Sequence, residues 1–363
     1  MRPYLDGATL VLMEKSQGCP LGHSSASEEG VVMSTNWDYL RVMKMNEMAP
    51  APNMAPVTKL DATIESQRFA PWFWPDEQLS DVLDFRKSAF LDDTCRVLDT
   101  GDDDPVVRAA SQQLLFLQAN YLAKHFPDKY RIETQRKFGK VIINTVTDDQ
   151  FSVRPERDDW HPLAISGLLG QEDICVVKRD EEGKHVLRAG FLATPTNWNL
   201  SDFIGADMDR IHHNVDGYHE PAGTNRYRLK DTVDKFLDHL HEYPSGITWR
   251  GNQFVEYTPN IALEPSLERN LRPKKIARDI GSRLFLRSER ETLTRLPAPY
   301  DDFTIFTIKP HVFRMEDVRR ERGDDFVRAL ATNSVLRSTL QSTENRKINL
   351  QSMLEQYLLE KED

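Results

Sequence analysis

The apolar positions of this chain follow a helical period towards both ends and a strand period in the middle. Apolar residues recur every three or four positions over residues 79–85 and 106–125, and again from Met315 onwards. This spacing places an apolar stripe along one face of a helix. We therefore predict helical layers on both sides of a central domain. The four predicted segments are a weakly patterned stretch at 1–60, a helical N-terminal layer at 61–135, a central domain at 136–314 and C-terminal helices at 315–363.

Runs of β-branched and aromatic residues mark strands within the central domain. The runs DICVV (173–177) and HVLRAGFLATP (185–195) are joined by a short polar turn that contains Gly183, which predicts a β-hairpin. The other predicted strands lie at 140–147, 246–257 and 302–313. Because helical patterns separate the early strands from the late ones, the sequence predicts an α+β fold with an antiparallel sheet and helices on one face.

The helical insertion between these strands carries the first candidate site. Its apolar stripe predicts one helix from Trp198 to near Arg210, followed at once by His212 and His213. The residues after the two histidines (NVDGY) are typical of a turn. A histidine held by a turn beside a buried helix can present a neutral imidazole to a metal or to haem iron. The alternative is a polar helix end in which both histidines bond to local carbonyl groups.

The predicted order of strands and helices matches a known arrangement. A five-stranded antiparallel sheet with helices between its early and late strands is the arrangement of PAS domains. Such a sheet and its covering helices enclose an apolar pocket in which a flat cofactor fits. The fold prediction is therefore a PAS-like antiparallel sheet with inserted helices, flanked by N-terminal and C-terminal helices.

Composition narrows the classes of function. The net charge of −10, from 57 acidic and 47 basic residues, disfavours binding to nucleic acid and to anionic membranes. No apolar run reaches the length of about 18 residues that spans a bilayer, and no secretory signal is found. The three cysteines (Cys19, Cys95 and Cys175) are widely spaced, so no disulfide framework and no four-cysteine iron–sulfur cluster are predicted. A cytoplasmic protein is the simplest prediction.

Four segments resemble the haem-dependent oxidative N-demethylase-like family, and they occur in the family's order. They are HPLAISGLLGQEDICVV (161–177), similar to the family's QEDL segment; FLATPTNW (191–198), similar to FPSxW; IHHNVDGY (211–218), similar to IHxPVPGY; and RSERETLTRLP (287–297) with FTIFTI (303–308), similar to RxERQTLxRLP and LFTI. Asn214 and Asp216 replace both prolines of the third motif. The resemblance covers residues 139–313, about half of the chain.

The resemblance implies a b-type haem in a PAS-like fold, with one histidine as the axial ligand of the iron. His212 matches the histidine of the family motif, so the resemblance assigns it the iron. The family's activity is the oxygen-dependent removal of a methyl group from a small amine such as dimethylamine, with release of formaldehyde. Separate reductase subunits or domains with flavin and an iron–sulfur centre supply the electrons. The chain has no nicotinamide or flavin motif of its own, so the implied partners are a small amine, dioxygen and a reductase.

Arginine side chains are the candidates for holding the haem propionates, since guanidinium groups recognise carboxylates best. Arg287 and Arg290 lie in the fourth motif, and Arg250 lies in the predicted strand at 246–257. We predict that Arg287 or Arg290 binds a propionate and that the motif fixes the haem edge. The alternative is an internal cluster of ion pairs with the glutamates of the same motif.

Glu172 and Glu289 are the candidate carboxylates for taking a proton from the amine substrate. The alternative for Glu172 is a solvated charge at a loop-to-strand junction. Trp198 packs either on the cofactor or in an ordinary core. Cys175 is expected to be a buried small hydrophobe, and a thiolate haem ligand is the alternative.

Two other functions stay open on the sequence. One is a haem-based gas or redox sensor, or a haem-binding protein without catalysis, because PAS domains commonly sense. The other is a non-haem metal or small-ligand site that uses His212, His213 and His219. The C-terminal helices are candidates for dimerisation, which would make the protein a homo-oligomer.

Overall fold

The structure is a computed structural model. It describes residues 34, 36–42, 71–136, 139–156, 159–213, 228, 230–242, 246–263, 279–332 and 350–359. The described helices are α1 (Trp37–Val42), α2 (Leu79–Asp92), α3 (Thr94–Val97), α4 (Pro105–His125), α5 (Pro162–Leu169), α6 (Met208–Ile211), α7 (Lys230–Glu242), α8 (Ile280–Arg283), α9 (Met315–Arg322), α10 (Asp324–Thr332) and α11 (Leu350–Leu359). The described strands are β1 (Leu98–Asp99), β2 (Tyr130–Gln135), β3 (Gly139–Asn144), β4 (Gln150–Ser152), β5 (Asp173–Arg179), β6 (His185–Phe191), β7 (Ile247–Glu256), β8 (Phe285–Arg295) and β9 (Phe303–Arg314).

The main sheet has the strand order β1-β6-β5-β9-β8-β7, and every neighbouring pair is antiparallel. The predicted hairpin is confirmed as β5 and β6, with Ile174 opposite Phe191. β5, the first strand of this hairpin, pairs on its other side with β9, so Cys175 lies opposite Phe306. An antiparallel sheet with helices before, within and after it confirms the predicted α+β class.

A second, three-stranded sheet of β2, β3 and β4 lies outside the main sheet. The predicted strand at 140–147 corresponds to β3, so the strand is confirmed, but it does not join the main sheet. β2 lies in the segment predicted to be helical, and that part of the prediction is wrong. The cause is pairing with β3, which buries Tyr130 and Ile142 in one cluster with α4.

Helices cover the main sheet on both faces, which corrects the prediction of helices on one face. Ile174 and Val176 pack in a cluster with α2, α4 and α5, whereas Cys175 and Val177 pack in a cluster with α6 and α7. Successive residues of a strand point to opposite faces. Both faces of the strand segment ICVV are therefore apolar, and both must be covered by other parts of the protein.

The predicted C-terminal helices are confirmed by α9, α10 and α11. They bury Val318, Leu330 and Leu354 in a third cluster, which also contains Leu286 of β8 and Phe313 of β9. This cluster closes the end of the main sheet at which β8 begins.

The single helix predicted from Trp198 to near Arg210 is wrong. A 3₁₀ turn at Leu200–Asp202 and the one-turn helix α6 take its place. Between them, Gly205 has φ of 80°, a left-handed conformation that glycine adopts without strain. The backbone nitrogen of Gly205 donates to Leu187 at 2.7 Å, and Leu187 donates back to Ala206 at 2.9 Å. These bonds tie the segment to β6 and interrupt the helix.

The cysteines differ from the prediction in one respect. Cys175 is a buried free thiol, as predicted, but Cys95 is disulfide-bonded. Within the described ranges, no helix is long and apolar enough to cross a membrane.

Candidate functional site

Arg287 and Arg290 point to opposite faces of β8. Residues three apart on a strand lie on opposite sides, and β8 pairs with β9 without a register shift across both positions. Arg287 Nε donates to Thr196 Oγ1 at 2.8 Å. Arg290 donates to the carbonyl oxygen of Pro71 and lies over the ring of Trp74, at 5.5 Å. The two arginine side chains therefore cannot contact the same edge of one ligand. A shared role in holding the haem edge would require both side chains to lie on one face.

We call the side of the sheet that carries Arg287 the histidine face. Leu293, two positions beyond Glu291 on β8, packs there in one cluster with Met208 of α6. His212 directly follows α6, and its electrostatic neighbours include Arg250 and Glu291. The histidine and the odd-numbered charged residues of β8 therefore occupy the same side of the molecule.

His212 is held as a neutral imidazole. Asp207 caps the first turn of α6 by accepting from the backbone nitrogen of Arg210 at 3.0 Å. One turn later, Nδ1 of His212 lies 2.9 Å from the carbonyl oxygen of Met208. A carbonyl only accepts, so Nδ1 carries the proton and Nε2 carries the lone pair. Burial is the largest cause of the lowered pKa of His212, which keeps the ring neutral.

This arrangement fits an axial ligand of haem iron. Histidines that bind metals usually donate the other ring N–H to a carbonyl or carboxylate, which fixes the tautomer and the ring orientation. Within the described residues, no group of three or more His, Cys, Asp or Glu side chains could hold a bare metal ion. Haem iron needs only the one histidine, because the porphyrin supplies the other nitrogens. His213 is exposed, and His219 lies outside the described residues.

Arg250 and Glu291 form an ion pair across β7 and β8 on the histidine face. The two residues are direct cross-strand neighbours, and Arg250 Nε donates to Glu291 Oε2. Burial alone would lower the pKa of Arg250, but the Glu291 carboxylate raises it. The positive charge of Arg250 is thus already balanced by a carboxylate in contact with it.

Arg287, Thr196 and Glu289 form a hydrogen-bonded chain on the same face. Thr196 Oγ1 accepts from Arg287 and donates to Glu289 Oε1 at 2.5 Å. The other two nitrogens of Arg287 donate to the carbonyl oxygens of Asn260 at 3.2 Å and Thr194 at 3.4 Å. The guanidinium and the Glu289 carboxylate are 3.9 Å apart. Burial raises the pKa of Glu289 above its ordinary value, so this carboxylate holds a proton more readily than an exposed one.

The comparison with known families decides the membership of the chain. A family model described as haem-dependent oxidative N-demethylase, alpha subunit-like, matches residues 63–337. The chain belongs to this family. The resemblance drawn from four motifs is confirmed, and the match extends it on both sides of residues 139–313. No curated protein matches the chain.

In this N-demethylase-like protein, Thr196 is the site residue that sequence reasoning missed. It lies in the second motif, FLATPTNW, but nothing in its spacing separates it from other threonines at strand ends. Its position depends on Asp173, which accepts from the backbone nitrogens of Ala193 at 2.9 Å and Thr194 at 3.0 Å. Asp173 in turn contacts Arg86 at 2.7 Å, with both side chains fully buried. Only the folded chain brings these segments together.

Glu172 lies apart from the histidine face. Its Oε1 accepts from the backbone nitrogen of Trp74 at 2.8 Å, and its charge acts on Arg290 on the opposite side of the sheet. Glu172 is buried, which contradicts its alternative interpretation as a solvated charge. The two carboxylates predicted to share the chemistry, Glu172 and Glu289, are therefore not in one site.

Trp198 and Cys175 both lie on the histidine face. Trp198 is half-buried, packs in the cluster that contains Met208, and meets the ring of Phe203 edge-on at 6.0 Å. Burial raises the pKa of the Cys175 thiol to about 12, so the sulfur stays protonated. Buried among the apolar side chains of this cluster, Cys175 fits the prediction of a small hydrophobe.

Proposed function

We propose that the chain binds b-type haem through His212 and carries out oxygen-dependent N-demethylation of a small methylated amine, with release of formaldehyde. The observation that carries the proposal is the bond from Nδ1 of His212 to the Met208 carbonyl. It orients a neutral imidazole with its lone pair on Nε2, as an iron ligand requires. Family membership supports the same reaction class.

A PAS-like fold is part of the proposal. β5 and β6 precede the helical insertion that carries His212, and β7, β8 and β9 follow it. These five strands are neighbours in one antiparallel sheet. This is the arrangement expected of a PAS domain, and it supports a cofactor held between the sheet and the inserted helices.

Haem held at this site would supply a redox-active iron for chemistry with dioxygen. Arg287 is the better candidate for a propionate, because its hydrogen bonds go to two carbonyl oxygens and a hydroxyl, and the nearest carboxylate, Glu289, is 3.9 Å away without a direct hydrogen bond. Arg250 is a second candidate, although Glu291 already balances it. Arg290 is left out, because it lies on the opposite face. Trp198 is proposed to pack beside the cofactor.

Glu289 is the proposed proton acceptor. An alkylammonium ion has no lone pair on nitrogen, so the substrate must lose a proton before it is oxidised. Because its pKa is raised, Glu289 is a stronger base than an exposed carboxylate and therefore a better proton acceptor for this step. Thr196 fixes Oε1 of this carboxylate, which orients the group for the transfer. Glu172 has no part in this step, since it does not share the face.

Electrons are proposed to come from an external reductase with flavin and an iron–sulfur centre, because the sequence contains no nicotinamide or flavin motif. The reductase would be a separate partner of a cytoplasmic protein. These points, like a homo-oligomer formed through the C-terminal helices, stay predictions.

The test has two stages. A visible spectrum with a pyridine haemochrome assay of the purified protein should give a Soret band and b-type haem. The chemically reduced protein, supplied with oxygen and a series of methylamines, should then release formaldehyde. Absence of haem after expression with a haem precursor would refute the ligand proposal. Stable oxygen binding without formaldehyde from any amine would instead favour a haem-based sensor.

A further inference from the structure

Glu172 and Arg290 carry opposite charges, lie completely inside the protein and do not touch. Their exposed fractions are 1% and 0%. Arg290 uses one nitrogen on the Pro71 carbonyl, while its Nε and Nη1 have no hydrogen-bond partner. Glu172 uses Oε1 on Trp74, while its Oε2 has no partner. Among the ion pairs within 4.0 Å of the described residues, none joins these two side chains.

The charges of Glu172 and Arg290 interact, although no hydrogen bond joins the two side chains. Burial lowers the pKa of Arg290, and the Glu172 carboxylate is the largest influence that raises it. Buried charges and buried donors are almost always paired with protein atoms or with ordered water. Two unpaired donors on Arg290 and an unpaired acceptor on Glu172 therefore indicate a group that bridges the two side chains.

The unpaired oxygen of Glu172 lies close to Gly170 and Gln118. A Cβ placed on Gly170 would lie 3.0 Å from Glu172 Oε2 and 3.3 Å from Gln118 Nε2. Gln118 is itself buried, and its Oε1 also lacks a partner. A bridging group must accept a hydrogen bond from Arg290 and donate one to Glu172. Water meets both conditions.

We propose that ordered water bridges Arg290 and Glu172, and that the two residues form a water-mediated buried ion pair on the face opposite His212. The water accepts from Nε or Nη1 of Arg290 and donates to Oε2 of Glu172. Arg290 holds the carbonyl of Pro71 and Glu172 holds the backbone nitrogen of Trp74. The bridge thereby fastens the segment 71–74 to β8 and to the start of β5, and it does not depend on the proposed haem site.

A high-resolution crystal structure of the whole chain tests the proposal directly. It should contain a water oxygen about 2.7–3.2 Å from Glu172 Oε2 and from Nε or Nη1 of Arg290. A direct contact between the two side chains, a dry gap or a bound ion in place of water would each overturn it. This measurement uses the unmodified protein, so it does not depend on a variant folding.

Three single variants and two double variants provide a second test. Glu172→Gln and Arg290→Met should each lower the thermal midpoint, and the double variant should lose less than the sum of the two shifts. The matched control pairs Glu172→Gln with Arg287→Met, which lies on the other face; these shifts should add. Haem content per folded molecule should not change in Arg290→Met. Additive shifts for Glu172 and Arg290 would contradict a shared bridge.

Discussion

Thr196 donates a hydrogen bond of 2.5 Å to Glu289, although 93 positions separate the two residues in the sequence. The same hydroxyl accepts from Arg287 at 2.8 Å, so its single proton is directed towards the carboxylate. The threonine thus orients Glu289, the carboxylate proposed to receive the substrate proton, and lowers its pKa, whereas burial is the largest influence and raises that pKa.

Thr196→Val keeps the shape of the side chain and removes this bond. Because the bond lowers the pKa of Glu289, its loss should raise that pKa further. A base works only when deprotonated, so the acidic limb of the rate profile should move to higher pH. The measurement is formaldehyde release against pH. Thr292→Val, on the other face of β8, should leave the limb in place; equal shifts in both variants would refute the assignment.

His212 should be the ligand without which haem is lost. His212→Gly should remove the Soret band, and added imidazole should restore it, because the small ligand can occupy the position of the missing ring. His213→Ala should leave the spectrum unchanged, since that residue is exposed. The measurement is the absorbance spectrum at matched protein concentration. Equal haem content and identical spectra in both variants would assign the iron to another residue.

The two arginines of the fourth motif should behave differently. Arg287→Met removes a charge-assisted group from the histidine face and should weaken haem binding about 10- to 100-fold. Arg290→Met should retain haem and instead lower the thermal midpoint, because Glu172 loses the positive charge opposite it. Haem transfer to an apo-globin acceptor measures retention. Faster haem loss from Arg290→Met than from Arg287→Met would reverse the proposed roles.

The sequence did not predict that Arg287 and Arg290 lie on different faces of the sheet. Residues three apart lie on the same face of a helix but on opposite faces of a strand. The pattern RSERET is polar throughout and gives no apolar period, so hydropathy does not identify β8. Its arginines form hydrogen bonds with distant segments: Arg287 with Thr196, and Arg290 with the Pro71 carbonyl. The motif could be matched to a family, but its division between two faces could not be predicted.

The sequence predicted correctly the helices and strands that are stabilised by residues near them in the chain. α4 begins at Pro105 after the capping residue Asp104, and the hairpin of β5 and β6 closes over a short polar turn. The helix predicted from Trp198 failed for a tertiary reason, since Gly205 and Ala206 use their backbone groups on Leu187 of β6. The family motif marks His212 in the sequence, and its role as the iron ligand stays a prediction. The carbonyl that fixes its tautomer required the structure.

Asp76 and Lys309 should make the stability of the fold sensitive to acid. Their charged groups are 2.8 Å apart and buried, and Asp76 also accepts from Gln171 at 2.8 Å. Burial alone would raise the pKa of Asp76, but Lys309 lowers it well below its ordinary range. The unfolded chain, with an Asp pKa of about 3.9, then binds a proton at a pH where the folded chain does not.

Stability from this pair is therefore fully present above about pH 4 and is lost as the pH falls through the folded pKa. Asp76→Asn should lower the free energy of unfolding near pH 7 by about 3–5 kcal/mol, because Lys309 would remain buried without its carboxylate. The deficit should shrink as the pH falls below about 4, because the unfolded wild-type chain then binds a proton at Asp76 that the folded chain does not bind. Urea unfolding at a series of pH values measures both effects. Asp128→Asn, at a side chain that is 72% exposed, is the matched control and should follow the wild-type curve. A constant deficit for Asp76→Asn down to pH 2 would show that the ion pair does not set the acid sensitivity.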